Sequence, residues 1–264
     1  MKTFITSFNE KLFHEYGKNF LNGWKEFAND DLELIVCFEG DINKIDAENF
    51  CTKNIKIIPI ESDQQLKFHK KFSKFIQARG LIAKKDPEKP GYYSFGYNYR
   101  YDAIRFSFKI FAYHKCLEKN LINNDFAWID ADMVCLKAFS SADMDEFFPH
   151  GDQLISYIGR DHFPKPNPYS ECGFIGFNFS HPLWKNFIKE TENLYMSGDI
   201  FLHAEWHDSY LFDKIRIKFE VEHGTIFKNI AKDIEEQEHP FSKTRLSAYF
   251  DHLKGPIRKK QGHS

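Results

Sequence analysis

The sequence has no long apolar run: the longest, Leu34 to Phe38, holds five of its 264 residues, against the ~20 that cross a bilayer as a helix. It has no Cys-x-x-Cys pair. Its five cysteines (Cys37, Cys51, Cys116, Cys135 and Cys172) are odd in number and widely spaced. That pattern speaks against a disulfide framework or zinc ribbon and makes a reducing cytoplasm the expected compartment. Neither sign of charge is in excess. With 36 Lys+Arg against 38 Asp+Glu the net charge is -2, which leaves no global basic field for a nucleic-acid duplex or an anionic membrane. The first residues reach Asn9, Glu10 and Lys11 too soon to hold a signal-peptide core. Internal repeats and low-complexity linkers are lacking too, so residues 1–264 read as one continuous domain with an elaborated second half.

What is abundant is phenylalanine: 29 residues, within an aromatic content of 17%. Rings bury much area with few rotatable bonds, so a Phe-rich core is the first expectation and stacking surfaces the second. Residues 3–8, 32–38 and 55–60 read as buried strands. Between the first two, Phe13, Tyr16, Phe20, Trp24 and Phe27 recur at helical steps of three and four. Helices are expected over 64–78, 98–119, 182–195 and 204–215, and further strands over 125–129, 154–158 and 173–178. The charged, Pro/Gly-containing segment 84–91 and the segment around Pro164, Pro166 and Pro168 read as surface loops. Strands alternating with helices predict an α/β fold: a mixed, mostly parallel sheet flanked by helices.

The most informative segment runs Phe126-Ala127-Trp128-Ile129-Asp130-Ala131-Asp132. An apolar strand delivers two carboxylates, one residue apart, to its C-terminal end. Residues i and i+2 of an extended chain project to the same side, and open α/β sheets bind ligands at that end. Two like charges held together need a cation, and hard oxygen ligands favour Mg²⁺ or Mn²⁺. A metal held by so few protein groups keeps positions open for diphosphate oxygens. The bland alternative is a solvated loop with two acidic caps.

A strand ending in Asp-x-Asp after a βαβ-type first half resembles the GT-A fold of nucleotide-sugar glycosyltransferases. The resemblance implies a donor half at 1–132, with Asp130 and Asp132 on the metal and Ala131 beside the donor, and an acceptor half at 133–264. Near the end, His252-Leu253-Lys254-Gly255-Pro256-Ile257-Arg258 is similar to the His-x-x-Gly-x-x-Lys tail of glycogenin-like and lipopolysaccharide glycosyltransferases. It implies His252 as a third metal ligand and Gly255 close to the diphosphate. Arg258, standing where Lys is expected, would carry charge to the phosphates as a bidentate fork. An incidental histidine in a basic tail is the rival reading.

Glu205-Trp206-His207-Asp208-Ser209 resembles the Trp-His-Asp-Glu segment of the blood-group and α-galactosyl transferases, with Ser209 in the place of the family's Glu. The resemblance implies Asp208 as the acidic residue at the reacting carbon or the acceptor hydroxyl. The change to Ser removes the residue proposed as nucleophile in a double displacement. Without the family, Glu205 and Asp208 are equally well explained as first-turn acids of a helix. Upstream, the segment Ser170 to Asn178 resembles the acceptor-side strand, its glycines admitting a sugar, with Glu171 a second catalytic candidate.

On the helix over 98–119, Asp102, Arg105 and Lys109 fall on one face. A salt-bridge ladder explains them; the resemblance instead implies Arg105 and Lys109 as phosphate contacts. The resemblance further implies Thr6, Ser7 and Phe8, at the end of the first strand, as the seat of base and ribose. No glycine-rich phosphate loop follows them, which argues against a Rossmann dehydrogenase. Of the rings, Phe8, Trp128, Tyr169 and Trp206 are placed to stack on a base or sugar. The expectation is a metal-dependent transferase taking a UDP-sugar and a glycan or small hydroxyl acceptor. A phosphohydrolase or nuclease using the same acidic pair, and a non-catalytic carbohydrate-binding protein, are the rivals.

Overall fold

The computed structural model describes residues 1–85, 91, 93–160, 169–232 and 239–253. Its strands are β1 (Lys2–Asn9), β2 (Leu32–Glu39), β3 (Ile55–Pro59), β4 (Leu81–Lys85), β5 (Tyr93–Tyr97), β6 (Phe126–Ile129), β7 (Met133–Cys135), β8 (Gln153–Ile158), β9 (Glu171–Phe177), β10 (Ile226–Asn229) and β11 (Phe250–His252). Its helices are α1 (Glu10–Leu12), α2 (Lys18–Phe27), α3 (Asp63–Phe72), α4 (Ala103–Glu118), α5 (Ser141–Asp145), α6 (Trp184–Ser197), α7 (Asp208–His223) and α8 (Pro240–Lys243).

Seven strands form one sheet in the order β10-β8-β9-β6-β1-β2-β3. Strands β3, β2, β1 and β6 run parallel, as do β8 and β10, while β9 lies antiparallel to both of its neighbours. This is the expected fold class: a mixed, mostly parallel sheet flanked by helices. The central strands are buried on both faces and read accordingly as continuous apolar runs.

The phenylalanines divide between the two faces. Along β1, Phe4 and Phe8 join Phe20, Trp24, Phe139, Phe148 and Phe174 on one side, while Ile5 joins Phe68, Phe111, Phe126, Phe177 and Phe187 on the other. Edge-to-face contacts are frequent: Phe4 meets Trp24 at 5.1 Å and Trp24 meets Phe139 at 5.3 Å between centroids. Phe126 and Phe177, opposite each other on β6 and β9, stack in parallel at 4.6 Å. The aromatic excess is mostly core.

Several boundaries differ from expectation for local reasons. The helix after β1 begins at Glu10, capped by the Asn9 side chain, and passes through a π turn at Phe13–Gly17 before α2. The helix expected over 98–119 opens at Ala103 because Asp102 caps it, its carboxylate accepting from Arg105 N at 3.1 Å. Asp102 is therefore a cap, not a rung of the expected ladder. Strand β7, which follows Asp132, pairs antiparallel with β11, placing His252 opposite Met133. The expected loop at 84–91 is flanked by a hairpin, β4 and β5, in which Lys84 and Lys85 belong to the strand. Among the described residues no helix is long and apolar enough to cross a membrane.

Candidate functional site

Strands β6, β1 and β2 run side by side and in parallel, with β1 and β2 ending at Asn9 and Glu39 and Asp130 following the end of β6. Beyond these ends lies a cavity of about 1160 Å³, larger than the ~300–1,000 Å³ typical of small-molecule sites. It is lined by Ser7, Glu39, Arg79, Arg105, Lys109 and Trp128, by Asp130, Ala131 and Asp132, and by Glu171 and Asp208, among others.

Asp130 and Asp132 line the cavity, and the buried His252 meets them from behind. Asp130 follows the buried β6 and is fixed by its backbone N–H, which donates to Gly173 O at 3.0 Å, and by Trp128 Nε1, which donates to its Oδ1 at 2.6 Å. Asp132 is nearly buried and sits at the start of β7. The β7–β11 pairing brings in His252 from 120 residues downstream, with Leu253 N donating to Asp132 O at 2.9 Å. His252 Nε2 lies 3.2 Å from Asp132 Oδ1 and 3.7 Å from Asp130 Oδ2. One ligand atom from each of the three falls within 4.8 Å of the others. Two carboxylates and an imidazole converging at that spacing, with Asp130 open to the cavity, fit a divalent cation such as Mn²⁺ or Mg²⁺.

The imidazole is held from behind. Gly173 of β9 faces it so closely that a Cβ there would stand 2.6 Å from His252 Cε1. Gly176 is filled likewise: a Cβ there would meet Ser156 Oγ at 2.4 Å. The glycines of this strand therefore admit protein side chains, not the sugar that the sequence reading assigned to them. Glu171 touches the cavity, yet its carboxylate turns to Arg160 and His239, both at 3.0 Å, and lies 3.9 Å from His252 Nδ1. Its carboxylate is thus engaged by Arg160, His239 and the Gly173 N–H, where the sequence expectation put it at the reacting centre.

Lys109 departs most from expectation. It points inward from α4 and is almost wholly buried, with Nζ donating to Asp208 Oδ2 at 2.5 Å and to Cys172 O at 2.8 Å. Asp130 Oδ1 is 3.6 Å away, and the indole of Trp128 lies beneath at 4.9 Å. Burial works against its charge, but Asp208 and Asp130 outweigh that and hold the ammonium well above its ordinary value. It is a bridge between two acids, with its capacity for phosphate already used. Asp208 opens α7 after the cap His207 and accepts also from Ser209 N at 2.9 Å. Just outside the helix, Glu205 binds Arg100 at 3.2 Å and His207 at 2.8 Å, so it is an ion-pair hub and not a first-turn acid.

Arg105, one turn earlier on α4, is exposed and reaches the cavity. At the end of β1 the alternation of a strand decides the outcome. Ser7 lines the cavity and donates to Glu39 Oε1 at 2.8 Å, whereas Phe8 is packed between Phe13 and Phe38 and Thr6 is fully buried. Of the three expected there, only Ser7 reaches the site. Among the candidate stacking rings Trp128 and Tyr169 line the cavity, while Trp206 packs against Tyr101 and Phe201. Gly255 and Arg258 lie outside the described residues. Sequence reasoning missed Glu39, Tyr16, Arg79 and His239. Glu39, at the end of the second predicted strand, was the one the strand-end rule could have found. Burial pushes its carboxyl up to about 7, against the lowering effects of Ser7 and Arg105.

No protein-family model matches this chain, and no curated protein matches it. Solved structures with a similar arrangement include mouse xyloside xylosyltransferase 1 (13% identity, TM-score 0.43, covering 87% of this chain and 85% of that one). Another is a glycosyltransferase involved in glycosylation of the major capsid of PBCV-1 (11%, 0.44, 98% of both). A third is the galactosyltransferase LgtC in complex with donor and acceptor sugar analogs (9%, 0.47, 96% and 87%). These scores lie below 0.5, and the chain's own topology and side chains carry the reading that follows.

Proposed function

We propose that this chain is a metal-dependent glycosyltransferase that moves a sugar from a nucleotide-diphosphate donor, expected to be a UDP-sugar, to a hydroxyl of a glycan or small acceptor. One observation carries the reading. Asp130 and Asp132, met by the buried His252, line a cavity that a third acid, Asp208, also lines, and the buried Lys109 ties Asp208 to Asp130.

Asp130, Asp132 and His252 would hold a divalent cation, which would supply positive charge to the leaving diphosphate. The protein's own residues divide the remaining work. Ser7 and Glu39, at the strand ends, offer an acceptor-rich edge for ribose or base donors. Arg105 and Arg79, both lining the cavity, bring positive charge to the phosphate side. Lys109 fixes both the charge and the orientation of Asp208, so that a carboxylate faces the space beside the metal where a sugar's C1 would develop positive charge. Glu171, held by Arg160 and His239, places negative charge behind His252.

The test is a thermal-shift screen of nucleotide sugars with and without Mn²⁺, followed by an assay for nucleotide release. A donor-specific shift that needs Mn²⁺, lost in Asp130→Asn and Asp132→Asn, is expected. Hydrolysis of simple phosphoesters without use of any sugar donor would replace this reading with the phosphohydrolase one.

A further inference from the structure

The β4–β5 hairpin carries an aromatic face that the core does not explain. Alternation along β5 puts Tyr93, Phe95 and Tyr97 on one side, and all three are exposed, at 61%, 58% and 52%. The antiparallel register sets Lys85, Ala83 and Leu81 beside them, so a small residue lies next to the central ring. The reverse face is occupied by Lys84, whose side chain lies across Gly96 so closely that a Cβ there would stand 2.4 Å from Lys84 Cε. One face of the ribbon thus carries the Lys84 side chain across Gly96, and the other presents three rings in a row. Alternate residues of a strand are ~6.8 Å apart, so the stripe spans about 14 Å. Exposed contiguous rings of this kind mark a binding surface.

The stripe leads into the cavity. Tyr97 Oη donates to Asp102 Oδ2 at 3.0 Å and accepts from Arg105 at 3.4 Å, and both partners line the cavity wall, as does Tyr99. At the hairpin's base Gly80 adopts φ 74°, and Asn98 N donates to Gly80 O at 2.7 Å. Arg79, the residue before it, also faces the cavity. The hairpin is therefore tied to the mouth of a cavity larger than one small ligand requires.

We propose that this aromatic face is a binding ledge for an extended, uncharged oligosaccharide, the acceptor chain, whose end enters the cavity beside Asp208. The proposal rests on the glycosyltransferase reading and specifies its acceptor. Flat rings stack on the apolar C–H faces of sugars, and the Tyr93 hydroxyl suits a hydroxyl-rich ligand. Among the described residues of the hairpin Lys85 is the one charged group on this face, so these residues select for neither a phosphate-dense nor an acidic polymer. The anchoring of Tyr97 to Asp102 and Arg105 fits a ligand running inward along the strand better than insertion of the hairpin into a lipid surface.

The experiment compares the full chain with its Tyr93→Ser/Phe95→Ser variant on a printed array of defined oligosaccharides, then by titration with the best-bound oligosaccharide. The proposal expects the wild type to bind oligosaccharides in preference to their monosaccharides, and the variant to lose about tenfold or more in affinity. The donor-induced thermal shift with Mn²⁺ should be unchanged in the variant, which also checks that it folds. Equal binding by wild type and variant, or no oligosaccharide bound at all, overturns the ledge. So does loss, in the variant, of association with phosphatidylcholine–phosphatidylserine vesicles while oligosaccharide binding persists, since the face would then be a membrane contact. Oligosaccharide binding through these rings without any donor shift would sink the transferase reading and leave the ledge standing.

Discussion

Replacing Gly173 by Ala tests how the cation site is built. The new methyl would stand 2.6 Å from His252 Cε1, 3.0 Å from Nδ1 and 3.2 Å from Glu171 Oε1. Ordinary contact begins near 3.4 Å, so the imidazole must retreat by about 0.8 Å, the difference between 3.4 and 2.6 Å. Metal–ligand distances tolerate only ~0.2 Å. The ring cannot recoil freely, because Phe241 and His239 pack against it at 5.1 and 5.7 Å between centroids. The expected result is a 10- to 100-fold loss in Mn²⁺ affinity, of the size seen when the support of a ligand is removed, with ~1–3 kcal/mol of overpacking cost. Gly176→Ala is the matched control. Its methyl would strike Ser156 Oγ at 2.4 Å on the same strand, so it carries a comparable packing cost without touching the histidine. Manganese binding, read by electron paramagnetic resonance of the free ion, separates the two variants. Unchanged Mn²⁺ affinity in Gly173→Ala, or equal losses in both, would refute the account of a histidine seated in a glycine notch.

Further outcomes follow from the same geometry. Glu39, with its carboxyl at about 7 in the fold against an ordinary 4.5, binds its proton more tightly folded than unfolded. Stability should therefore fall as pH rises from about 4.5 to 7 and stay lower above that. Glu39→Gln should remove this loss, a gain of at most ~3 kcal/mol at pH 8 and almost none at pH 4, measured by urea denaturation at the two pH values. Lys109→Met leaves Asp208 and Asp130 facing each other without their cation. A loss of ~3–5 kcal/mol is expected, and a denaturation midpoint within error of wild type would contradict the bridging role. Saturating Mn²⁺ at 100 times its Kd should stabilise the wild type by ~2.7 kcal/mol, and Asp132→Asn should abolish most of that gain.

The parts of this molecule that could be read from sequence are those written locally. Buried β6 with its two acids, the aromatic period of α2 and the parallel sheet all follow from spacing along one segment. The contacts that give the site its character are written across segments. A three-residue strand such as β7 or β11 has too little periodicity to be seen, yet its pairing is what delivers His252; only the resemblance of the tail pointed there. Helical spacing placed Lys109 and Arg105 on one face but is silent on what that face meets, so the buried bridge was mistaken for a phosphate contact. Thr6, Ser7 and Phe8 form a string whose alternation requires one orientation to be chosen, and the string alone does not choose it. The hairpin was hidden because Ser94 and Gly96 interrupt its rings and a charged Pro/Gly segment follows Lys85.

The pairing of β7 with β11 also sets a timetable. Every strand of the seven-stranded sheet is complete once residue 229 has been made, and both aspartates precede it by about 100 residues. The imidazole comes 120 residues after Asp132, which at ~5–20 residues per second is a delay of about 6–24 s on the ribosome. During that interval the nascent chain can shape its sheet and bury its phenylalanines while the third ligand is still missing. On the proposed cation reading, full affinity would be deferred until the C-terminal strand docks, and a product cut short before β11 would lack the imidazole.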